Sequence, residues 1–381
     1  MGRIKITQQQ VSSAEEIQPP REIKDGGMSL ALVFGSTAHM ENSALHNRLQ
    51  DYYSGAVLAG CSTAGEITAK GVEDDTITIT LMQFNSTMVR THCIEVKSME
   101  DSQTAGAALV EGLYDDNLAY ILVLSDGQVV NGSSLVRGIR NALPADIPFS
   151  GGLAGDGSRF EKTFTLDSDG IHAKSIVAVG FYGDALQVNR GSFGGWAPFG
   201  PYRKVTKSKA NVVYEIDHSR ALDVYSAYLG DEAKDLPASG LLFPLAISPK
   251  QGKVGLIRTL LAVDKQNGSL TFAGDVPEGS VIQLMHANYD QLIAGAENAA
   301  NMCLSNGKPD IDLALLISCV GRKLLLGNNT DLEVDAVVEK FGRDATYTGF
   351  YSYGEIGPFE GSGGACELHN QTMTITTFAE L

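Results

Sequence analysis

Clusters of β-branched and aliphatic residues alternate along the chain with stretches whose apolar positions recur at helical spacing. The clusters at 30–35, 76–84, 88–96, 120–125 and 175–182, each bounded by turn-forming residues, predict buried or half-buried strands. Between them, 42–53 carries apolar residues at 45, 49, 52 and 53, and 133–143 carries them at 135, 136, 139 and 143, the spacing of one helical face. The later part of the chain predicts a helix at about 221–229, a meander-like region over 241–285, a helix near 291–301, a strand at 313–319 and a helix near 332–341. This alternation predicts an α/β protein with mixed α+β layers. A Gly- and Pro-rich passage at 190–208, holding the only Trp, interrupts the patterns and reads as a crossing between two parts. The expected division is a flexible N-terminal segment over 1–25, a first domain over 26–208 and a second over 209–381.

One pattern recurs within the chain. GCSTAGEI at 60–67 and GFYSYGEI at 349–356 share Gly60 and Gly349, Gly65 and Gly354, Glu66 and Glu355, and Ile67 and Ile356 in one register. A weaker copy, SGGLAGD at 150–156, contributes Gly152, Gly155 and Asp156, and every copy follows a helix-like segment and a short extended run. The expectation is a set of internally repeated strand-Gly-corner units. Paired glycines permit positive φ and close backbone approach, which leaves N–H groups and the side chains of Cys61, Ser62, Thr63 and Tyr353 free to face a crevice. An acid after the second Gly can orient those donors or accept a ligand's ammonium group. Alternatively, the glycines turn a tight corner and the acid caps the next segment.

Cys319 and Arg322 stand in LLISCVGRKLLLG, where a strand ends and a loop begins, a usual location for ligand contacts. Arg322 there suits bidentate capture of a carboxylate, or is a surface residue after a buried Cys. Cys61 is also a candidate nucleophile for a hydrolase, but its surroundings lack the G-x-S-x-G elbow, and the chain has no HExxH, P-loop or GxGxxG motif; a non-enzyme is the expectation. The seven histidines show no metal-ligand spacing, although a single proximal His suffices for haem iron.

Charge and composition narrow the partners. A formal net charge of −16 disfavours nucleic acid and anionic membrane. The polar first 25 residues lack a secretory core, and the longest apolar runs, about eight residues, fall short of a membrane span. Five widely spaced cysteines with no CxxC pair fit reduced thiols, not a disulfide framework or a zinc site, so a cytoplasmic protein is expected.

The run VFGSTAHM, then GCSTAGEI, then FSGGLAGDG resembles an N-terminal FIST domain, and SCVGR, GFYSYGEIGP and LHNQTMTI resemble a C-terminal FIST domain, together spanning about 27–377. The resemblance implies a two-part FIST N and FIST C architecture and a sensor of a small ligand, with amino acids the class proposed for the family. It also implies a separate signalling partner such as a histidine kinase or a diguanylate cyclase that makes cyclic-di-GMP. With no output domain fused to it, the chain is similar to the haem-binding, nitric-oxide-sensing NosP group, which adds haem as a cofactor expectation. His286 and His39, each at a predicted strand end, are the candidate axial ligands. The readings carried forward are a haem-based nitric oxide sensor, a binding module for an amino acid or other small polar ligand, and a Cys61 hydrolase; a homodimer is an allowed assembly.

Overall fold

The computed structural model describes residues 3–23, 28–248, 255–305, 310–359 and 364–381. Its main body is one structural unit repeated three times. Each unit supplies an edge strand, two parallel core strands joined through a helix, a corner, a hairpin and a return strand. In the first repeat these are Lys5–Val11, then Ser29–Gly35 and Val57–Ser62 flanking the helix Ser43–Tyr53, the hairpin Glu66–Thr68 and Gly71–Glu73, and the return strand Ile77–Gln83. The second has Met88–Glu95, core strands Leu118–Ser125 and Phe149–Leu153 around the helix Gly132–Ala142, hairpin Phe164–Asp167 and Gly170–Ala173, and return strand Ser175–Tyr182. The third has Leu186–Phe193, core strands Leu313–Cys319 and Thr346–Ser352 around helices Val320–Leu326 and Thr330–Phe341, hairpin Gly354–Pro358 and Cys366–His369, and return strand Met373–Glu380.

The repeats are interlocked because each lends its hairpin to a neighbour. The first hairpin extends the third sheet, the second extends the first sheet and the third extends the second sheet, so all three six-stranded sheets have the same strand order. Their inner faces enclose one apolar core in which Phe34 meets Phe350 in a tilted pair at 4.8 Å and Phe378 meets both Tyr120 and Phe181. The strands predicted at 30–35, 76–84, 88–96, 120–125 and 175–182 are all present, and three helices, Ser43–Tyr53, Gly132–Ala142 and Tyr289–Cys303, begin at side-chain caps from Asn42, Asn131 and Asn288. Residues 5–11 depart from the expected flexible segment: they pair along their whole length with the return strand 77–83. Their polar sequence suits the edge of a sheet, where one side faces solvent.

The registers align the repeats residue by residue. Val33 pairs with Gly60, Val123 with Gly151 and Leu316 with Gly349. A Cβ on any of these glycines would overlap the carbonyl oxygen of its partner. The same alignment corrects the third sequence copy. Leu166, Ile67 and Ile356 sit opposite these glycines in the lent hairpins, so the residue matching Glu66 and Glu355 is Thr165, not Asp156. Asp156 belongs to a longer corner, 154–163, found only in the second repeat.

A second departure from the repeat lies inside the third. After Phe193 the chain leaves to form a separate β unit with its own core around Val205, Tyr225, Leu270, Phe272 and Ile282, and it returns at the helix Tyr289–Cys303. The passage at 190–208 is thus the end of an edge strand followed by the inserted strand Ala197–Lys209. The insert rests on the main body through Arg258 Nη1 to the Leu368 carbonyl at 3.0 Å, Asn131 Nδ2 to Asp275 at 3.0 Å and the Arg137–Asp275 ion pair.

Replacing Gly349 by Ala should therefore lower stability by about 3 kcal/mol or more, because the obstacle is backbone and cannot rotate away. Gly279→Ala, in open space but with φ of 85°, should cost only about 1 kcal/mol. Urea midpoints of the two variants check the difference; equal losses would contradict it.

Candidate functional site

The three corners meet at one end of the main body and hydrogen-bond to one another. Ser62 Oγ donates to the Gly155 carbonyl at 2.8 Å and Gly155 N–H to that of Ser62 at 3.0 Å. Ala64 N–H reaches the Tyr351 carbonyl and Tyr351 N–H the Gly65 carbonyl, both at 2.9 Å, while Tyr353 N–H donates to Leu153. Glu66 and Glu355 play matching parts. Glu66 accepts from the Thr63 hydroxyl and from Thr76 N–H and Oγ1; Glu355 accepts from Ser352 Oγ and from Thr372 N–H and Oγ1. Each carboxylate joins its corner to the following return strand; in the second repeat the Thr165 and Ser175 hydroxyls do so at 2.6 Å.

The corner groups expected to face a crevice are largely occupied in this way. Asp156 is ringed by N–H groups of Phe160, Glu161 and Lys162 and by the Tyr353 hydroxyl. Burial pushes its carboxyl up, but these bonds outweigh that and hold it below the usual range. Cys61 points into the central core with a thiol raised by burial, and no histidine hydrogen-bonds it among the described residues. Gly152 packs on Ile317 and Phe350, and Gly354 lies beside Leu368. Cys319 is buried at the start of the helix Val320–Leu326, its thiol also raised by burial. Arg322 is fully buried: Nη2 lies 2.6 Å from Glu333 and 2.7 Å from the Leu292 carbonyl, and Nη1 reaches the Gly194 carbonyl. Its fork secures the root of the insert and has no arm free for a carboxylate ligand.

Two cavities flank the corners and share Ser158 and Leu324. The smaller, about 400 Å³, is polar and takes in Thr63, Gly65 and Glu66 from the expected site. It adds Ser36, Arg159 and Lys323, which sequence reasoning missed. Lys323 follows Arg322 on the same helix and bonds the Ala64 carbonyl at 2.8 Å and Asp74. Ser36 Oγ is buried without a protein partner, and Arg159 has no carboxylate partner among the described residues.

The larger cavity, about 590 Å³, lies between the main body and the insert and is lined mainly by apolar groups. From the body come Leu153, Phe160 and Tyr353; from the insert come Leu241, Leu260 and Phe272. Its margin includes Met99, Phe160, Leu261 and Leu324, all large apolar residues between 40% and 45% exposed. Only Tyr353 among the expected residues lines it. The signal that could have found it is the conjunction of the 154–163 loop with the crossing at 190–208, both of which break the repeat.

Neither candidate haem ligand lines this cavity. His39 is half-buried on the short helix Thr37–Met40 with Nε2 2.9 Å from the Asp75 carbonyl, and His286 is exposed beside Phe199. His369 is buried with Nε2 at 3.2 Å from the Gly357 carbonyl. No histidine is among the described residues around the apolar cavity, so its walls do not fit a histidine-ligated haem.

Comparison with known proteins matches residues 29–219 to the FIST N domain and residues 221–358 to the FIST C domain. An uncharacterized protein of Methanocaldococcus jannaschii, MJ1623, is 23% identical over 340 residues, covering 78% of this chain; the chain spans 64% of that relative's length. The crystal structure of cyanuric acid hydrolase from A. caulinodans aligns with 100% of this chain and 99% of its own at 8% identity and a TM-score of 0.36, too low to carry a conclusion. No helix among the described residues is long and apolar enough to cross a membrane.

The corner chemistry should be visible in stability. Burial pushes the Glu355 carboxyl up to about 8, against hydrogen bonds from Ser352 and Thr372 that favour its ionised form. The folded protein then keeps this proton where the unfolded chain has released it, so the contribution is present at low pH and is lost as pH rises toward 8. Burial pulls His369 down to about 4, which acts in the opposite sense but only below its ordinary value of 6.5. Between pH 6.5 and 8 the unaltered protein should lose about 1–2 kcal/mol that Glu355→Gln does not lose, as read by urea unfolding at each pH. Parallel profiles would contradict this.

Proposed function

Because this chain belongs to the FIST family, whose domains are small-ligand sensory domains of signalling proteins, we propose that it senses a small, predominantly apolar ligand in the cavity between the main body and the insert. The observation that carries this reading is the apolar chamber itself, within the size range of small-molecule sites and margined by exposed Met99, Phe160, Leu261 and Leu324. Exposed apolar side chains gathered round a concave, interdomain site gain most from an occupant that removes them from water. The adjoining polar cleft, with Lys323, Arg159 and the unpartnered Ser36 hydroxyl, suits a small polar group on the same ligand.

Signalling follows from the position of the chamber. Its walls belong to two bodies, so an occupant that touches both stabilises the arrangement in which the insert is seated on the corner of the second repeat. A separate signalling enzyme, such as a histidine kinase or a diguanylate cyclase, then reads the seated form. An amino acid is the second reading, favoured by the paired charges of the polar cleft, where Lys323 and Asp74 would meet its carboxylate and ammonium groups.

The apolar fluorophore anilinonaphthalenesulfonate provides a probe of the native chamber. It should bind with one-to-one stoichiometry and raise the unfolding free energy by about 2.7 kcal/mol at a hundredfold excess over its Kd. Ala238→Trp, which places a ring in the chamber from an exposed position, should weaken binding at least about tenfold while the fold stays intact. Absence of binding, or equal binding by Ala238→Trp, would contradict the assignment.

A further inference from the structure

Three side chains that the sensory reading leaves unused meet away from both cavities. Cys93 Sγ, a carboxylate oxygen of Asp167 and a ring nitrogen of His172 all lie within 4.8 Å of one another. The sequence gives no hint of this, because Cys93 stands far from the pair in the chain and no ligand spacing connects them. Topology brings them together. Cys93 lies on the edge strand of the second sheet, opposite Val177, whereas Asp167 and His172 lie on the hairpin lent to the first sheet. Asp167 is buried, and Cys93 and His172 are half-buried, so the group is sheltered yet open on one side.

The internal repeat provides a control for whether the fold itself demands these residues. The register places Gln10 and Ser192 where the second repeat has Cys93, Thr68 and Gly357 where it has Asp167, and Glu73 and His369 where it has His172. In the third repeat the positions are in contact as well: His369 Nε2 faces the Gly357 carbonyl, and the Ser192 side chain borders Gly357. The scaffold thus builds the same niche with a Ser, a Gly and a His and needs neither a thiol nor a carboxylate there. Only the second repeat furnishes sulfur, nitrogen and oxygen donors together.

We propose that Cys93, Asp167 and His172 form a binding site for one zinc-class divalent cation that clamps the second hairpin to the edge of the second sheet. One thiolate, one imidazole and one carboxylate are a donor set of borderline softness, and three protein ligands leave a fourth tetrahedral position for water or a solute. Without the ion, His172 Nε2 and Asp167 Oδ1 share a hydrogen bond at 2.8 Å, and Asp167 also receives the Asp169 and Gly170 N–H groups. The turn bonds hold the carboxylate in place, so the ion can take over the His172 hydrogen bond without setting the carboxylate free. The ion forms its bond to sulfur as the thiol proton leaves to solvent, so affinity rises with pH.

The test uses the full chain stripped with a chelator and titrated with Co²⁺, a spectroscopic substitute for Zn²⁺. One equivalent should produce the intense near-ultraviolet sulfur-to-cobalt band and the visible bands of a tetrahedral ion, and Zn²⁺ should abolish both. Cys93→Ser should remove the sulfur band, and Cys93→Ser and His172→Ala should each weaken Zn²⁺ binding on the order of 100-fold. A stoichiometric cobalt spectrum without a sulfur band, a band that survives in Cys93→Ser, or no binding of either metal by the unaltered chain would overturn the proposal. The spectrum of the unaltered protein identifies the sulfur ligand directly, so the test stands even if a variant folds poorly.

Discussion

Close packing of paired parallel strands at Gly60, Gly151 and Gly349 is the constraint on which the architecture depends. At each place a side chain would collide with the carbonyl of the neighbouring strand. The three pairs deliver their corners to one end of the body, where Ser62, Ala64, Gly155, Tyr351 and Tyr353 bond across repeat boundaries. Hairpin exchange closes the arrangement, since each sheet is completed by strands from another repeat. No repeat can therefore complete its own sheet, and the division of the sequence into FIST N and FIST C segments coexists with a main body that both segments build.

A symmetric hub of this kind has little chemistry to spare. Glu66, Glu355 and Arg322, the charged residues that looked most available in the sequence, are spent on Thr76, Thr372 and Glu333. The two cavities beside the corners arise where the symmetry fails. The longer corner of the second repeat supplies Ser158, Arg159 and Phe160, and the insert within the third supplies Leu241, Leu260 and Phe272. The Cys93, Asp167 and His172 cluster is a third local departure, one of side chain and not of backbone.

Much of the scaffold was legible because it depends on local signals. Apolar clusters marked the core strands, helical spacing marked 42–53 and 133–143, which fold as Ser43–Tyr53 and Gly132–Ala142, and the GEI echo located two of three corners. The third copy was misregistered by the Gly and acid at 155–156, since a short motif cannot reveal that the true counterpart, Thr165, lies beyond an enlarged loop. The strand at 5–11 escaped notice because an edge strand needs no apolar alternation. The site was harder still. Thr63, Gly65, Glu66 and Tyr353 reach a cavity, but the apolar walls come from segments brought together only by the folding of the insert onto the second repeat.

That dependence on two bodies also defines how a ligand would be felt. A side chain buried in one body can be protected without informing the other, whereas an occupant touching Phe160 and Phe272 couples them. Hydrogen–deuterium exchange of the full chain, with and without saturating anilinonaphthalenesulfonate, measures this coupling directly. Joint protection of 153–160 in the corner and 260–274 in the insert is the expected result. Protection confined to one of these segments, or to neither, would contradict a ligand site shared between the insert and the body.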